Sequence, residues 1–285
     1  MARETSAPHG RAAVAAYAPE AARVLDRLEA TAGLGLQPEL VELTAQTVAA
    51  VHRNAARPRC DDTNGAALRF AEQFTVDVSN LGDATRVAML TALGNDAFSY
   101  TQTVYVFDAI GRAGLVLDQL FGASPPAPTN AEPFTDLWTG VEAFLAVVPG
   151  LQALDPITTE QIRLRLANHH NCRLCKSLRS YSALAAGATD ETFAEATTGS
   201  ESALALVDAF AWTPAKLDDR LRAEVQHDFD AAQQVEIVLD TARNAANKVA
   251  VALGADAPHV TSGYEVYDVA ADGTITYGME HPFVG

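Results

Sequence analysis

The sequence predicts an all-α protein that consists of two copies of one helical unit, followed by a short C-terminal β-hairpin. Three observations support this. Apolar residues recur at three- and four-residue spacing through most of the chain, proline and glycine stand where helices should begin and end, and the two halves resemble each other. The 285 residues, 48% of them apolar, are enough for one large or two smaller domains with a packed core.

The helical spacing covers eleven segments. They are 15–30, 38–52, 64–75, 83–93, 97–121, 134–148, 156–170, 172–186, 200–211, 217–226 and 229–253. Asp155 and Pro156 supply an N-cap and a first-turn proline for the segment that begins at 156. Gly122, Gly187 and Gly254 stand where helix C-caps are expected.

The two halves align when they are counted back without gaps from Gly122 and Gly254, which pairs Asp108 with Asp240. A repeat of this length predicts a duplicated unit. The predicted organisation is a first helical unit over 1–123, a proline-rich linker over 124–130, a second helical unit over 131–258 and a tail over 259–285.

The tail changes character, because residues 264–269 and 274–277 alternate in polarity around Asp272 and Gly273. This pattern predicts a β-hairpin with an Asp-Gly turn. Two strands alone are marginally stable, so we expect the hairpin to pack on the helices or on a neighbouring subunit.

Composition excludes several classes of function. A net charge of −16 argues against nucleic acid as a partner. The chain has no run of about 20 apolar residues and no signal-peptide core at its N-terminus, so we expect neither a membrane partner nor export. Three cysteines without an export signal favour a reducing, cytoplasmic location.

Two of those cysteines, Cys172 and Cys175, form a Cys-x-x-Cys pair. Asn171 is a good N-cap, so Cys172 is predicted to be the first helical residue, where the helix dipole favours a thiolate. Neighbouring cations are expected to lower the thiol pKa values further. These cations are Arg173, Lys176 and Arg179. The remaining cysteine, Cys60, lies in a polar loop and is predicted to have no redox role.

Glu160 precedes Cys172 by twelve residues, and a short break before the cysteines would let the two helices pack with Glu160 near the thiols. It is then a candidate general base, although a glutamate on a helix is more often a surface residue. His169 and His170 raise zinc as an alternative, but zinc ligand pairs are usually separated by a dozen or more residues. The sequence therefore predicts no metal and no cofactor.

Glu160, eleven intervening residues and then Cys172-x-x-Cys175 resemble the motif Glu-x11-Cys-x2-Cys-x3-His. This is the motif of the AhpD-like (alkyl hydroperoxidase D-like) branch of the carboxymuconolactone decarboxylase family. The resemblance implies an oligomeric all-helical thiol peroxidase that reduces hydroperoxides or exchanges disulfides. It implies Cys175 as the peroxidatic thiolate, Cys172 as the resolving thiol and Glu160 in the proton relay. The implied partners are a hydroperoxide or disulfide substrate, an external dithiol protein and further copies of the chain.

One position departs from that motif, because Arg179 stands where the family has histidine. Arginine cannot act as a base, but it can hold a thiolate and orient Glu160 through a charged hydrogen bond. Alternatively, His169 or His170 carries the proton. The predicted catalytic residues are Cys175, Cys172, Glu160, Arg179 and His170.

Two other functions fit the same resemblance. One is lactone decarboxylation, which does not need the thiols. The other is a non-catalytic oligomeric scaffold that has kept the fold and lost the histidine.

Overall fold

The computed structural model describes residues 9–58, 64–123, 130–194 and 199–283, and most of them are helical. The helices are α1 (Gly10–Tyr17), α2 (Pro19–Thr31), α3 (Pro38–His52), α4 (Gly65–Asp77), α5 (Asp83–Leu93), α6 (Ala97–Phe121), α7 (Leu137–Val147), α8 (Pro156–His169), α9 (Arg173–Lys176), α10 (Tyr181–Ala185), α11 (Asp190–Ala194), α12 (Glu201–Trp212), α13 (Asp219–Asp228), α14 (Ala231–Asn244) and α15 (Asn247–Leu253). The strands are β1 (Leu178–Ser180), β2 (Glu265–Val269) and β3 (Ile275–Met279). No helix in these ranges is both long and apolar enough to cross a membrane.

The predicted helices and their end signals agree with the structure over most of the chain. The side chain of Asp155 accepts hydrogen bonds from the backbone N–H groups of Ile157 and Thr158 at 3.0 Å, as an N-cap should. Gly122 and Gly254 end α6 and α15 with positive φ angles of 97° and 71°, which glycine adopts without strain. The all-α prediction with a short C-terminal hairpin is therefore confirmed. Of the predicted linker 124–130, residues 124–129 lie outside the described ranges.

The core is continuous across both halves. The long helix α6 is buried along most of its length and packs against α1, α3, α4 and α14, so it joins the first half to the second. In the first half α3 packs on α4 and α6, and in the second half α8 packs on α12 and α14. This similarity agrees with a duplicated unit, although the duplication itself stays a prediction. The packing places α8 and α14 side by side.

The C-terminal hairpin joins a three-stranded sheet. Strands β2 and β3 are antiparallel, and β2 also pairs in parallel with β1, with Arg179 opposite Val266 and Ser180 opposite Tyr267. The prediction of one helix over 172–186 is therefore wrong. Strand β1 interrupts it, and Ser180 then caps the new helix α10 by accepting a hydrogen bond from the N–H of Ala183 at 3.3 Å. The sheet brings the C-terminal hairpin to the segment that follows the two cysteines.

Candidate functional site

The cysteine loop begins where α8 ends. Asn171 has a φ angle of 51°, a left-handed conformation that asparagine tolerates better than most residues. The chain then extends at Cys172, and this residue, not Asn171, is the N-cap of α9. The Sγ atom of Cys172 accepts a hydrogen bond from the N–H of Cys175 at 3.2 Å. The predicted cap is thus wrong by one residue. Because α9 has only four residues, it also supplies little of the dipole that was expected to favour a thiolate.

Cys172 and Cys175 are joined by a disulfide bond, with their Cα atoms 5.4 Å apart. Cys172 is completely buried, whereas Cys175 is partly exposed. An external reagent therefore reaches Cys175 more readily than Cys172. Cys60 lies outside the described residues.

Glu160 is buried, with 2% of its surface exposed, and is held by Arg163 one turn later on α8. The Nε atom of Arg163 donates to Glu160 Oε2 at 2.6 Å, and Nη2 donates to Oε1 at 2.7 Å. The same guanidinium donates to the carbonyl oxygens of Cys175 at 2.8 Å and Leu178 at 2.9 Å. Burial alone would lower the pKa of Arg163, but the charge of Glu160 raises it. One cation thus links the buried carboxylate to the backbone of the cysteine loop.

The sheet completes the surroundings of Glu160. The N–H of Ser180 donates to Oε1 at 3.0 Å, and the hydroxyl of Tyr267 donates to Oε2 at 3.5 Å. The guanidinium carbon of Arg163 lies 5.2 Å from the centre of the Tyr267 ring. Burial raises the pKa of Tyr267, so its phenol stays neutral and remains a hydrogen-bond donor. Sequence reasoning gave no role to Ser180, Tyr267 or the guanidinium of Arg163.

Arg179 does not make the bond that was expected of it. Its Nη1 atom donates to the carbonyl oxygens of Lys176 at 2.9 Å and Leu178 at 2.8 Å. Its guanidinium also lies against the rings of Phe193 and Tyr264, and burial lowers its pKa. Among the described residues, Arg163 is the arginine that orients Glu160.

His170 is also directed elsewhere. Its Nδ1 atom lies 2.7 Å from Oδ1 of Asn247, and burial followed by the charge of Lys248 lowers its pKa to about 3, so the ring is neutral. His169 pairs with Asp208 at 2.6 Å. Within the described ranges, neither ring bonds to a cysteine or to Glu160, so neither occupies the place of the expected proton carrier.

The cations that flank the thiols are partly compensated. Arg173 pairs with Asp256, with 2.7 Å between Nη2 and Oδ1, and Lys176 donates to the side chain of Asn171 at 2.5 Å. Arg163 is paired with Glu160. The positive charge available to a thiolate is therefore smaller than the sequence suggests.

Two Mycobacterium tuberculosis proteins are similar to the chain. They are Uncharacterized protein Rv2313c of strain ATCC 25618 / H37Rv and Uncharacterized protein MT2376 of strain CDC 1551 / Oshkosh. Each is 40% identical to it over 224 residues, which cover 73% of this chain and 79% of the relative. The chain belongs to the family of these two proteins. No family model matches the chain, and no solved structure matches it either.

The chain contains a second buried ionic cluster, centred on Asp108 of α6. Asp108 Oδ1 lies 2.8 Å from Nε2 of His52 and 2.6 Å from Nε of Arg112, and Oδ2 lies 2.5 Å from Nζ of Lys248. Burial alone would raise the pKa of Asp108, but Arg112 and Lys248 hold it well below its usual range. Burial lowers the pKa of Lys248 to about 8.

Asp240 aligns with Asp108 in the sequence but has a different environment. It is buried on α14, and its Oδ2 atom has no hydrogen-bond partner among the described residues. Burial raises the pKa of Asp240 to about 7. The alignment pairs the two aspartates and places Asn244 opposite Arg112, but it does not show the other groups around them. No group of three or more histidine, cysteine, aspartate or glutamate side chains in the described ranges is arranged to hold a metal ion.

Proposed function

We propose that the chain is a thiol-dependent oxidoreductase that reduces hydroperoxides or exchanges disulfides through Cys172 and Cys175. The observation that carries this proposal is the coupling of the two sites. Arg163 donates both to Glu160 and to the backbone carbonyl oxygen of Cys175, so a buried carboxylate and the backbone of the cysteine loop belong to one hydrogen-bond network. The AhpD-like spacing of Glu160 and the cysteine pair supports the same chemistry.

The reduced protein starts the reaction with Cys175, because Cys175 is the more exposed of the two cysteines. Its thiolate attacks the outer oxygen of a hydroperoxide ROOH, the O–O bond breaks, and RO⁻ takes up a proton to leave as the alcohol ROH. Cys175 is then a sulfenic acid. The thiol of Cys172 attacks that sulfur, which forms the disulfide and releases water. An external dithiol reduces the disulfide by two exchange steps and leaves as its own disulfide.

Glu160 is assigned the proton transfers of this cycle. It accepts the proton that Cys175 loses on becoming a thiolate and returns it to the departing RO⁻. Arg163 and Ser180 fix the orientation of its carboxylate, and the Tyr267 hydroxyl is a neutral donor on the other oxygen. With His170 directed to Asn247, the relay does not depend on a histidine.

The proposal includes the cellular setting. A reducing, cytoplasmic compartment supplies the dithiol protein that resets the pair, and the chain works as a homo-oligomer. Neither nucleic acid nor a membrane takes part.

A peroxide-consumption assay with an excess of a small dithiol tests the function. We expect Cys175→Ser to abolish turnover. In Cys172→Ser, the Cys175 sulfenic acid should still form and be trapped by a sulfenic-acid reagent, but the intramolecular disulfide should be absent. Cys60→Ser is the matched control, since it removes the third thiol and should leave the rate unchanged.

Turnover that persists in Cys175→Ser refutes the assignment of the attacking sulfur. Equal, slow peroxide reaction of the parent and of the double cysteine variant refutes the oxidoreductase proposal as a whole. In that case a lactone-acid assay on the same double variant addresses the thiol-independent alternative.

A further inference from the structure

A cavity of about 340 Å³ lies between α8, α14 and β2. Leu151 and Leu154 line it on the apolar side, and the polar side chains of Ser180 and Ser182 line it near the sheet. Glu160, Arg163 and Tyr267 form the wall that it shares with the proposed redox site. The volume is at the small end of the range of about 300 to 1,000 Å³ that is typical of ligand sites.

Four carboxylates and two guanidinium groups are among the polar groups that line the cavity, and three of the four carboxylates have partners. Glu160 is paired with Arg163, Glu236 accepts a hydrogen bond from the N–H of Ala153 at 2.6 Å, and Asp268 accepts one from the hydroxyl of Ser182 at 2.9 Å. These three groups are therefore accounted for by the protein itself.

Asp240 is the exception. Its side chain lines the cavity and only 5% of its surface is exposed, yet its Oδ2 atom has no donor within the described ranges. Arg243, on the same helix, also lines the cavity, but its Nε atom donates to the carbonyl oxygen of Leu145 at 2.9 Å. The charge of Arg243 lowers the pKa of Asp240, Glu236 one turn away on α14 adds like charge that raises it, and burial is the larger effect that leaves the pKa raised.

A buried carboxylate without a donor is costly, and a nearby carboxylate makes the cost larger. A protonated amine beside the Asp240 carboxylate would supply a hydrogen-bond donor and a positive charge, and it would also reduce the repulsion between Asp240 and Glu236. A neutral hydroxyl could donate a hydrogen bond but would not change the charge. A metal ion is a poorer occupant, because the described residues contain no group of three ligands arranged around one point.

We propose that this cavity binds a small organic cation, with its ammonium group on Asp240 and its apolar part against Leu151 and Leu154. The site does not depend on the redox function, because Asp240 and Glu236 take no part in the cysteine chemistry. A ligand in the cavity would nevertheless lie against the Glu160–Arg163 pair, since both side chains form part of its wall.

Calorimetric titration of the full chain at about pH 8 tests the site, with benzylamine as the cationic probe, benzyl alcohol as the neutral probe and calcium chloride as the metal probe. At that pH an alkyl ammonium group is charged. We expect benzylamine to bind, and benzyl alcohol and calcium not to bind measurably. In Asp240→Asn, which keeps the shape and removes the charge, binding should weaken about thirtyfold or more.

Asp219→Asn is the matched control. It removes the same unit of charge from an exposed position on α13, where 89% of the side chain is accessible. Benzylamine should bind this variant as it binds the parent. Thermal unfolding of both variants checks that they are folded before they are titrated.

Three results would overturn the proposal. They are equal affinities for benzylamine and benzyl alcohol, benzylamine binding that survives Asp240→Asn, and no benzylamine binding to the folded parent at millimolar concentration. Peroxide turnover of Asp240→Asn is a separate readout. Loss of amine binding with normal turnover separates this site from the redox function.

Discussion

Replacing Asp240 with asparagine should stabilise the protein at neutral pH and have a much smaller effect in acid. In the unfolded chain this carboxyl titrates near 3.8, whereas in the folded protein burial, opposed by the charge of Arg243 and assisted by that of Glu236, raises its pKa to about 7. Between these values the folded state holds a proton that the unfolded state has released. Raising the pH therefore favours unfolding, and the stability of the parent falls relative to the variant.

The size of the effect follows from the shift. The two pKa values differ by about three units, and each unit corresponds to about 1.4 kcal/mol, so the penalty grows to about 4 kcal/mol above pH 7. That is a large fraction of the 5 to 15 kcal/mol by which a typical domain is stable. Asparagine keeps the size of the side chain and has no charge to desolvate. The difference between parent and variant should therefore be near its minimum below about pH 4 and saturate above about pH 7.

Urea unfolding of the parent and of Asp240→Asn at several pH values measures this difference, with other titrating groups common to both proteins. Asp108→Asn is the comparison, because Asp108 is the aligned aspartate with buried cationic partners. It should destabilise the protein at neutral pH by about 3 to 5 kcal/mol, since Arg112 and Lys248 lose their counter-ion. A pH-independent difference for Asp240→Asn, or destabilisation by both variants at pH 8, would refute the reasoning.

Three further predictions concern the Glu160 site, the Asp108 cluster and the turn of the C-terminal hairpin. Tyr267→Phe removes the hydroxyl that donates to Glu160, and it should cost less than about 1.5 kcal/mol of stability. It should also change the pH profile of peroxide consumption, and an unchanged profile would exclude Tyr267 from the relay. Burial lowers the folded pKa of Lys248 to about 8, so between about pH 8 and pH 10.5 the unfolded chain holds a proton that the folded protein has lost, and the stability of the parent should rise by about 3 kcal/mol. Lys248→Met should remove this rise, and parallel stability curves for the two proteins would contradict the prediction. Gly273→Ala should lower the melting temperature, because Gly273 has a φ angle of 83° and an added Cβ would lie 2.4 Å from the Cα atom of Ala146. An unchanged melting temperature would show that the hairpin moves freely.

Periodicity and end signals predicted the helices well because both are local. Pro38, Pro156 and Gly122 determine where helices begin or end without reference to the rest of the fold. The segment 172–186 was mispredicted because its break depends on a partner strand almost ninety residues later, at β2. No local pattern around the cysteines reveals that pairing.

In the candidate site too, the local features could be predicted from the sequence and the long-range contacts could not. Glu160 and the cysteines were found from their spacing, and the Glu160–Arg163 pair was available as an i,i+3 pattern of opposite charges on one helix face. Tyr267 reaches Glu160 only through the sheet, across 107 positions in sequence. Sequence reasoning therefore chose Arg179 for a role that Arg163 fills.

The two aligned aspartates show what an internal repeat can and cannot predict. When the two halves are counted back from Gly122 and Gly254, Arg112 aligns with Asn244. The alignment therefore shows that Asp240 lacks the cationic partner that Arg112 gives to Asp108. Lys248 and His52 reach Asp108 from other helices, and the alignment gives no sign of them.

The parallel pairing of β1 with β2 determines when the site can form during synthesis. A ribosome that has completed α8 and α9 has already synthesised both cysteines and Glu160, but it has not yet made the strand that carries Tyr267. Contacts between residues so far apart in sequence form late, after loop closure has been overcome. The nascent chain therefore passes through a stage in which Cys172, Cys175 and Glu160 are present but the contacts that β2 makes with β1 and with Glu160 are not. A thiol-trapping experiment on stalled chains that end before β2 should find both cysteines modified at similar rates, in contrast to the completed protein.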